Sequence, residues 1–257
     1  MKRRYILFLF LLLLAPLEGQ AGTVLNGSVT DVFDGDTVLV FIPGRGPETV
    51  RYIGIDTPET NYPGRRVEEL GPEASRFNRE MVLGREVLLE LDVQERDRFG
   101  RLLAYVWLDH GTGGAMVNEV LVREGYAVPF TFPPNLRHTK LFRNAFRKAR
   151  NESKPLWGKA SGRVFTPVQV WAELPYLAGL FLTVEFRVED VTESANRYSL
   201  YPARGYTSLI IYKSDSGQFG SIASFRGKTL TVAGKVLSGF NGAEIVLSDP
   251  AQILSVQ

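Results

Sequence analysis

Cysteine is absent from the 257-residue chain. Disulfides, thiolate metal sites and a cysteine nucleophile are therefore excluded, and an exported form would be held together by its apolar cores alone, which a chain of this length can supply. Histidine is nearly absent: His110 and His138 are the two in the chain. No His/Cys cluster suggests zinc, no Walker-type loop occurs, and no Ser-centred elbow is present. A dominant charge is missing as well, with 30 Lys+Arg against 28 Asp+Glu. A global basic field that would pull in nucleic acid is thus excluded, and any such attraction must be local. The one long apolar run, Tyr5 to Leu17, follows Lys2-Arg3-Arg4 and precedes Gly19-Gln20-Ala21. It reads as a signal peptide cleaved after Ala21. Its 13 residues fall short of the roughly 20 that a spanning helix needs, so an uncleaved membrane anchor is the lesser alternative. The leader carries three basic residues and one acid, Glu18, so the formal net charge of +2 falls to zero without it.

What is there is globular in balance, 44% hydrophobic and 23% charged, and long enough for two domains. Residues 22–161 mix strand and helix patterns. Strand is expected over Val24 to Phe41 with a turn at Asp34-Gly35, then over Val50 to Ile55, Val87 to Asp92 and Arg101 to Leu108. Helices are expected over Pro72 to Leu83, Met116 to Glu124 and Leu136 to Asn151, the second stopped by Gly125. Residues 162–175, rich in proline and glycine, read as a linker. From 176 to 257 the pattern is all strand: Leu182, Val184, Phe186 and Val188 alternate with polar residues, and Phe240-Asn241-Gly242 reads as a hairpin turn. No solenoid repeat or low-complexity tract interrupts this order.

Two acidic turns lie about twenty residues apart, Asp34-Gly35-Asp36-Thr37 and Asp56-Thr57-Pro58-Glu59-Thr60. Each follows an apolar strand, so each presents its carboxylates at a strand end. Asp36 and Asp56, with a backbone carbonyl and water, suit a hard cation such as calcium; so few protein charges imply weak binding, at ~10⁻⁴ to 10⁻³ M. Each turn alone is also an ordinary hairpin or helix cap. Arg51 and Arg101 sharpen the pattern. Two planar guanidiniums and a cation are what the developing negative charge of phosphodiester cleavage requires, and Glu59 is a candidate to activate or position water.

In order and spacing the chain resembles the staphylococcal nuclease (thermonuclease) family. The resemblance runs from about Val29 to Trp157 and includes both acidic turns, Arg51, Gly71-Pro72-Glu73-Ala74-Ser75, Asp97-Arg98-Phe99-Gly100-Arg101, Leu103-Ala104-Tyr105 and Met116-Val117-Asn118-Glu119. It implies an α+β chain, mostly β, with a five-stranded OB-type barrel and three helices. It implies that Asp36, Asp56 and the Thr57 carbonyl bind Ca²⁺, that Glu59 acts near the attacking water, and that Arg51 and Arg101 clamp the scissile phosphate. It further implies cleavage of DNA and RNA to 3′-phosphate ends. The departures lie at the base pocket. Phe99, Phe130 and Phe132 stand where the family has tyrosines, keeping a stacking face and losing a hydroxyl; for Phe130 and Phe132 a core position is the other reading. Arg98 replaces a lysine and still suits phosphate.

Three further features stay open. Lys140, Arg143, Arg147 and Arg150 form a stripe on the third helix, either a nucleic-acid guide or a solvated face. The loop Gly111-Thr112-Gly113-Gly114 is a phosphate contact or, more simply, a turn. The second domain, with five expected short strands and 8 acidic against 8 basic residues from 162 onward, reads as an OB-like barrel in an accessory role, and Tyr198, Tyr201, Tyr206 and Tyr212 either stack bases or pack that barrel. The whole reads as an exported, periplasmic or extracellular calcium-dependent nuclease acting on DNA or RNA, with no stable membrane partner. The alternatives are a non-catalytic tandem module that binds nucleic acid or protein, and a tethered interaction protein. A ribonuclease-like pair of His110 and His138 is the least favoured chemistry.

Overall fold

The computed structural model describes residues 23–60, 67–108 and 113–257. The leader, His110 and the first half of the glycine loop lie outside the described residues. Strands β1 (Val24–Val32), β2 (Thr37–Ile42), β3 (Gly46–Tyr52) and β4 (Ile55–Asp56) come first. Helix α1 (Gly71–Val82), β5 (Glu86–Glu90), β6 (Leu102–Leu108), β7 (Ala115–Met116), α2 (Val117–Arg123), β8 (Val128–Pro129), α3 (Thr139–Asn151) and α4 (Pro155–Ala160) complete the first half. The second half runs β9 (Val164–Phe165), α5 (Pro167–Ala172), α6 (Leu174–Leu177), β10 (Phe181–Arg187), β11 (Asp190–Glu193), β12 (Arg197–Tyr201), β13 (Thr207–Tyr212), α7 (Lys213–Ser216), β14 (Thr229–Gly239), β15 (Gly242–Val246) and β16 (Ile253–Val256). Among the described residues no helix is long and apolar enough to cross a membrane.

The first sheet runs β3-β2-β1-β5-β6, antiparallel at each step, and closes where β3 pairs with β6 in parallel. The result is a five-stranded barrel of the OB type. Its interior is set by alternation along the strands: Val29, Val38, Val40, Val50, Leu89, Leu102 and Ala104 point inward and are fully or almost fully buried. The three expected helices are present within a few residues of their expected ends. Pro72 opens α1 with Glu73 in the first turn, and Gly125 stops α2 at φ +74. The expected strand over Val50 to Ile55 is split in two, because Gly54 takes φ +79 and turns the chain between β3 and β4. A side chain there would also collide with the ring of Phe142 from α3.

The second sheet follows the path β11-β12-β13-β15-β14-β10-β9, with β16 on β14. This is more than the five strands expected, and short helices accompany them. The segment 162–175, read as a linker, carries regular structure: β9 pairs with β10 and Thr166 caps α5 through a complete capping box. The hairpin turn is where the sequence places it, with Gly239 opposite Gly242 and Phe240 at the fully exposed tip. None of Tyr198, Tyr201, Tyr206 and Tyr212 is fully buried; Lys213 sits over the ring of Tyr198 and Tyr206 packs on Trp171.

The two sheets are docked. Phe181 and Ala233 belong to the core of the first, Trp157 meets Phe181 edge-on, and Thr183 donates to the carbonyl of Ala160 at 2.7 Å. The basic stripe on α3 serves this contact in part. Arg143 pairs with buried Asp215 at 2.5 Å and Arg147 with buried Asp249 at 3.0 Å, so these two side chains hold the second domain.

Asn118 is the polar keystone of the barrel. It is completely buried; its carbonyl accepts from the Val106 amide at 2.9 Å, and its amide donates to the carbonyls of Ile53 and Ala104. Replacing it with alanine strands the Val106 amide and the Ile53 carbonyl, each costing about 1–3 kcal/mol when buried without a partner, while the Ala104 carbonyl keeps the Ile53 amide. Asn118→Ala is therefore expected to lower the unfolding free energy in urea by about 3 kcal/mol or more.

Candidate active site

The site is assembled where β3 ends beside the start of β2 and the turn after β4. Thr37 pairs with Arg51 across β2 and β3, which brings Asp36 alongside. Gly35 permits the close approach of the second acidic turn, since a Cβ at this position would lie 2.7 Å from the Thr57 hydroxyl. The Thr57 amide then donates to Asp36 Oδ2 at 2.9 Å, joining the two turns directly.

Arg51 sits at the centre. Its Nη1 donates to the carbonyls of Tyr52 at 2.6 Å and Ile55 at 2.9 Å. Its Nη2 reaches Asp36 Oδ2 at 3.0 Å and Asp56 Oδ1 at 3.3 Å. One guanidinium therefore bridges both carboxylates and fixes the β3–β4 turn. Burial alone would lower the pKa of Arg51, but Asp36, Asp56, Asp34 and Glu59 more than offset it and hold it raised. Burial pushes Asp36 up to about 7, against Arg51 and with the help of Asp34 and Asp56. Glu59 is raised in the same way, first by burial and then by Asp34 and Asp56.

Arg101 and Arg51 open to the same side. Arg51 pairs with Leu103 in the parallel closure, and Arg101, two residues before Leu103, shares its face. Both line a cavity of about 460 Å³ together with Arg98, Phe99, Phe130 and Phe132. Arg101 is held there by Asp97, Nε to Oδ2 at 2.7 Å. Arg98 and Arg101 both lie over the Phe99 ring. Phe99 and Phe132 are 68% and 69% exposed, and Phe130 is 39% exposed, so none is a core residue. His138 is engaged elsewhere, 3.0 Å from Glu90 and packed on Tyr105 and Trp107.

Two residues of the site carry no signal in the sequence. Glu68 accepts from the Glu59 amide at 3.0 Å and returns its own amide to the Glu59 carbonyl at 2.9 Å, clamping the loop that carries Glu59. Lys235, on β14 of the second sheet, reaches Asp56 Oδ2 at 2.9 Å and Glu68 at 2.8 Å. In the sequence it is one more polar residue among apolar neighbours on a strand.

Among the described residues no three or more acidic, His or Cys side chains are arranged to hold a metal ion. The set on offer is two carboxylates, Asp36 and Asp56, and the Thr57 carbonyl. These are all hard oxygen donors, and Asp34 adds a further carboxylate that acts on Asp36. Such a set fits a hard divalent cation.

The geometry agrees with the comparisons to known proteins. A family model described as "Staphylococcal nuclease homologue" matches residues 49–159. The thermonuclease of Staphylococcus hyicus is 41% identical over 129 residues, which is 50% of this chain and 73% of that protein. The chain belongs to the staphylococcal nuclease family. Endonuclease YncB of Bacillus subtilis (strain 168) is 37% identical over 153 residues, 56% of this chain and 70% of its own. The thermonuclease of Staphylococcus intermedius is 39% identical over 129 residues, 50% of this chain and 74% of its own. With the family comes the enzyme class: this is a phosphodiester-hydrolysing nuclease. The matched span of the family model takes in Arg51, Asp56, Thr57, Glu59 and the whole arginine-lined cavity, and it ends before the second sheet.

A carboxyl whose folded pKa lies above its unfolded value of 3.8 destabilises the fold when ionised. That cost is full above about pH 7 and vanishes below about pH 4. In chelator the melting temperature is accordingly expected to rise as pH falls from about 8 to about 6, and thermal melts of Asp36→Asn should lose most of that slope, Glu59 supplying the remainder.

Proposed function

We propose that this nuclease is an exported, calcium-dependent enzyme that cleaves DNA and RNA and leaves 3′-phosphate ends. The observation that carries the reading is the Arg51 bridge: one largely buried guanidinium spans two carboxylates and itself lines the cavity walled by Arg98, Phe99 and Arg101, while Asp56 and Glu59 line a second cavity that shares Phe130 with it. Asp36, Asp56 and the Thr57 carbonyl would hold the ion. Bound calcium supplies positive charge opposite the phosphoryl oxygens as they become more negative.

The residues of the chain do the rest. Arg101, held at Nε by Asp97, faces the cavity with its terminal nitrogens able to grip a phosphate through two bonds. Arg51, whose terminal nitrogens hold the turn and both carboxylates, adds its charge beside it, and both count for more as the charge of the phosphate grows. Glu59, whose pKa is raised by burial and by Asp34 and Asp56, is a stronger base than an ordinary glutamate, and its carboxylate takes the proton of the attacking water. The water oxygen bonds to phosphorus, the bond from phosphorus to the 5′ oxygen breaks, and that oxygen leaves as a hydroxyl by taking a proton from solvent water, while Glu59 returns its own proton to solvent. Phe99, Phe130 and Phe132 offer flat, exposed faces to a base, so binding rests on stacking and on Arg98. Export is supported by the basic start, the short apolar run and the small residues that end at Ala21; the absence of cysteine is compatible with it. Residues 22–161 are the catalytic domain in this reading and 176–257 an accessory one.

Single-stranded DNA incubated with the protein should be cut in calcium and left intact in chelator. Asp36→Ala should abolish cutting. Arg51→Lys and Arg101→Lys should each lower kcat about 10²-fold or more with little change in KM, as loss of a preorganised donor does, and end-group analysis should find 3′-phosphate. Cutting that persists in chelator, or products ending in 5′-phosphate, would overturn the proposal.

A further inference from the structure

The second sheet does more than pack against the barrel. Its strand β14 delivers Lys235 to the donor atoms assigned above to the ion. The ammonium is 2.9 Å from Asp56 Oδ2, 2.8 Å from Glu68 and 3.4 Å from the Thr57 carbonyl. The side chain is only 13% exposed, so this is an enclosed contact and not a surface lysine at rest. The approach is built in. Lys235 lies opposite Phe181 on β10, and Gly179, just before that strand, takes φ +91 and lies so near Glu68 that a Cβ would stand 2.5 Å from its Cγ. Only a glycine lets the second domain press its backbone against the residue that clamps Glu59.

We propose that Lys235 is a positioning residue of the active site: a tethered cation, supplied by the second domain, that shares Asp56 and the Thr57 carbonyl with the divalent ion and so weakens the hold of the site on that ion. An ammonium and a hard dication seek the same oxygen donors, and two cations around one carboxylate repel. Glu68 gives the ammonium somewhere to go. Its distances to Asp56 and Glu68 are nearly equal, so when Asp56 turns to a metal, Lys235 retains a full ion pair with Glu68. It thereby keeps its grip on the loop that carries Glu59, through the Glu68 bond to the Glu59 amide. Docking of the second domain and occupancy of the metal locus are linked through this one side chain.

The inference rests on the metal-dependent reading, and calcium binding measured without nucleic acid separates the two. Calorimetric titrations of the full chain would compare wild type with Lys235→Met, Lys235→Gln and Lys235→Arg. Both neutral variants are expected to bind calcium at least about tenfold more tightly, since a neighbouring unit charge is removed, and to gain more melting temperature from calcium than wild type does. Lys235→Arg, which keeps the charge, should stay close to wild type. A lysine that merely props up the fold would give the opposite result, weaker binding in the neutral variants. Equal or weaker affinity in a neutral variant that still melts cooperatively overturns the role of Lys235, and loss of cooperative melting in both makes it a folding residue and overturns it too. No calcium bound by any of the chains would instead refute the metal reading itself.

Discussion

One guanidinium ties the active centre of this nuclease together. Arg51 ends a barrel strand, and with two nitrogens it satisfies two carbonyls of the turn that follows and two carboxylates from different turns. Without it, Asp36 and Asp56 would face each other in a mostly buried place with no counter-charge between them, at a desolvation cost that a small protein does not easily bear. With it, the acidic turns are drawn into one site and still keep an excess of negative charge. Burial raises the pKa values of Asp36 and Glu59, and the nearby carboxylates Asp34 and Asp56 raise them further, so a bound cation would favour their ionised forms. The interaction that stabilises the turns is also the one that gathers the groups proposed to act.

The barrel and most of the site could be read from the order of residues, for identifiable reasons. Alternating apolar positions, Pro72 at a helix start and Gly125 at a helix stop are local signals, and local signals survive in sequence. Asp36, Asp56, Glu59, Arg51 and Arg101 lie in two acidic turns and two strand ends whose spacing is short and family-like. Phe130 and Phe132 were ambiguous because an aromatic ring suits a core as well as a ligand; their exposure excludes the core.

What was hidden is long-range. Lys235 is separated from Asp56 by 179 positions, and nothing in a strand of alternating residues says which distant carboxylate its lysine will meet. The same holds for Arg143 and Arg147: a basic stripe at helical spacing looks like a surface until buried Asp215 and Asp249 arrive from the other domain. The structure inside the segment read as a linker was hidden in a related way: Pro167 opens a capped helix and Val164 and Phe165 join a sheet.

Helix α3 is used on two sides at once. Its inner face seals the barrel, with Phe142 closed over Gly54 at the turn that Arg51 fixes, while Arg143 and Arg147 grasp the second sheet. A rod clamped at both flanks cannot let go of one partner without loosening the other. The two halves of this molecule should therefore come apart in one thermal transition, and a protease nick between them would leave a particle that still sediments as a whole.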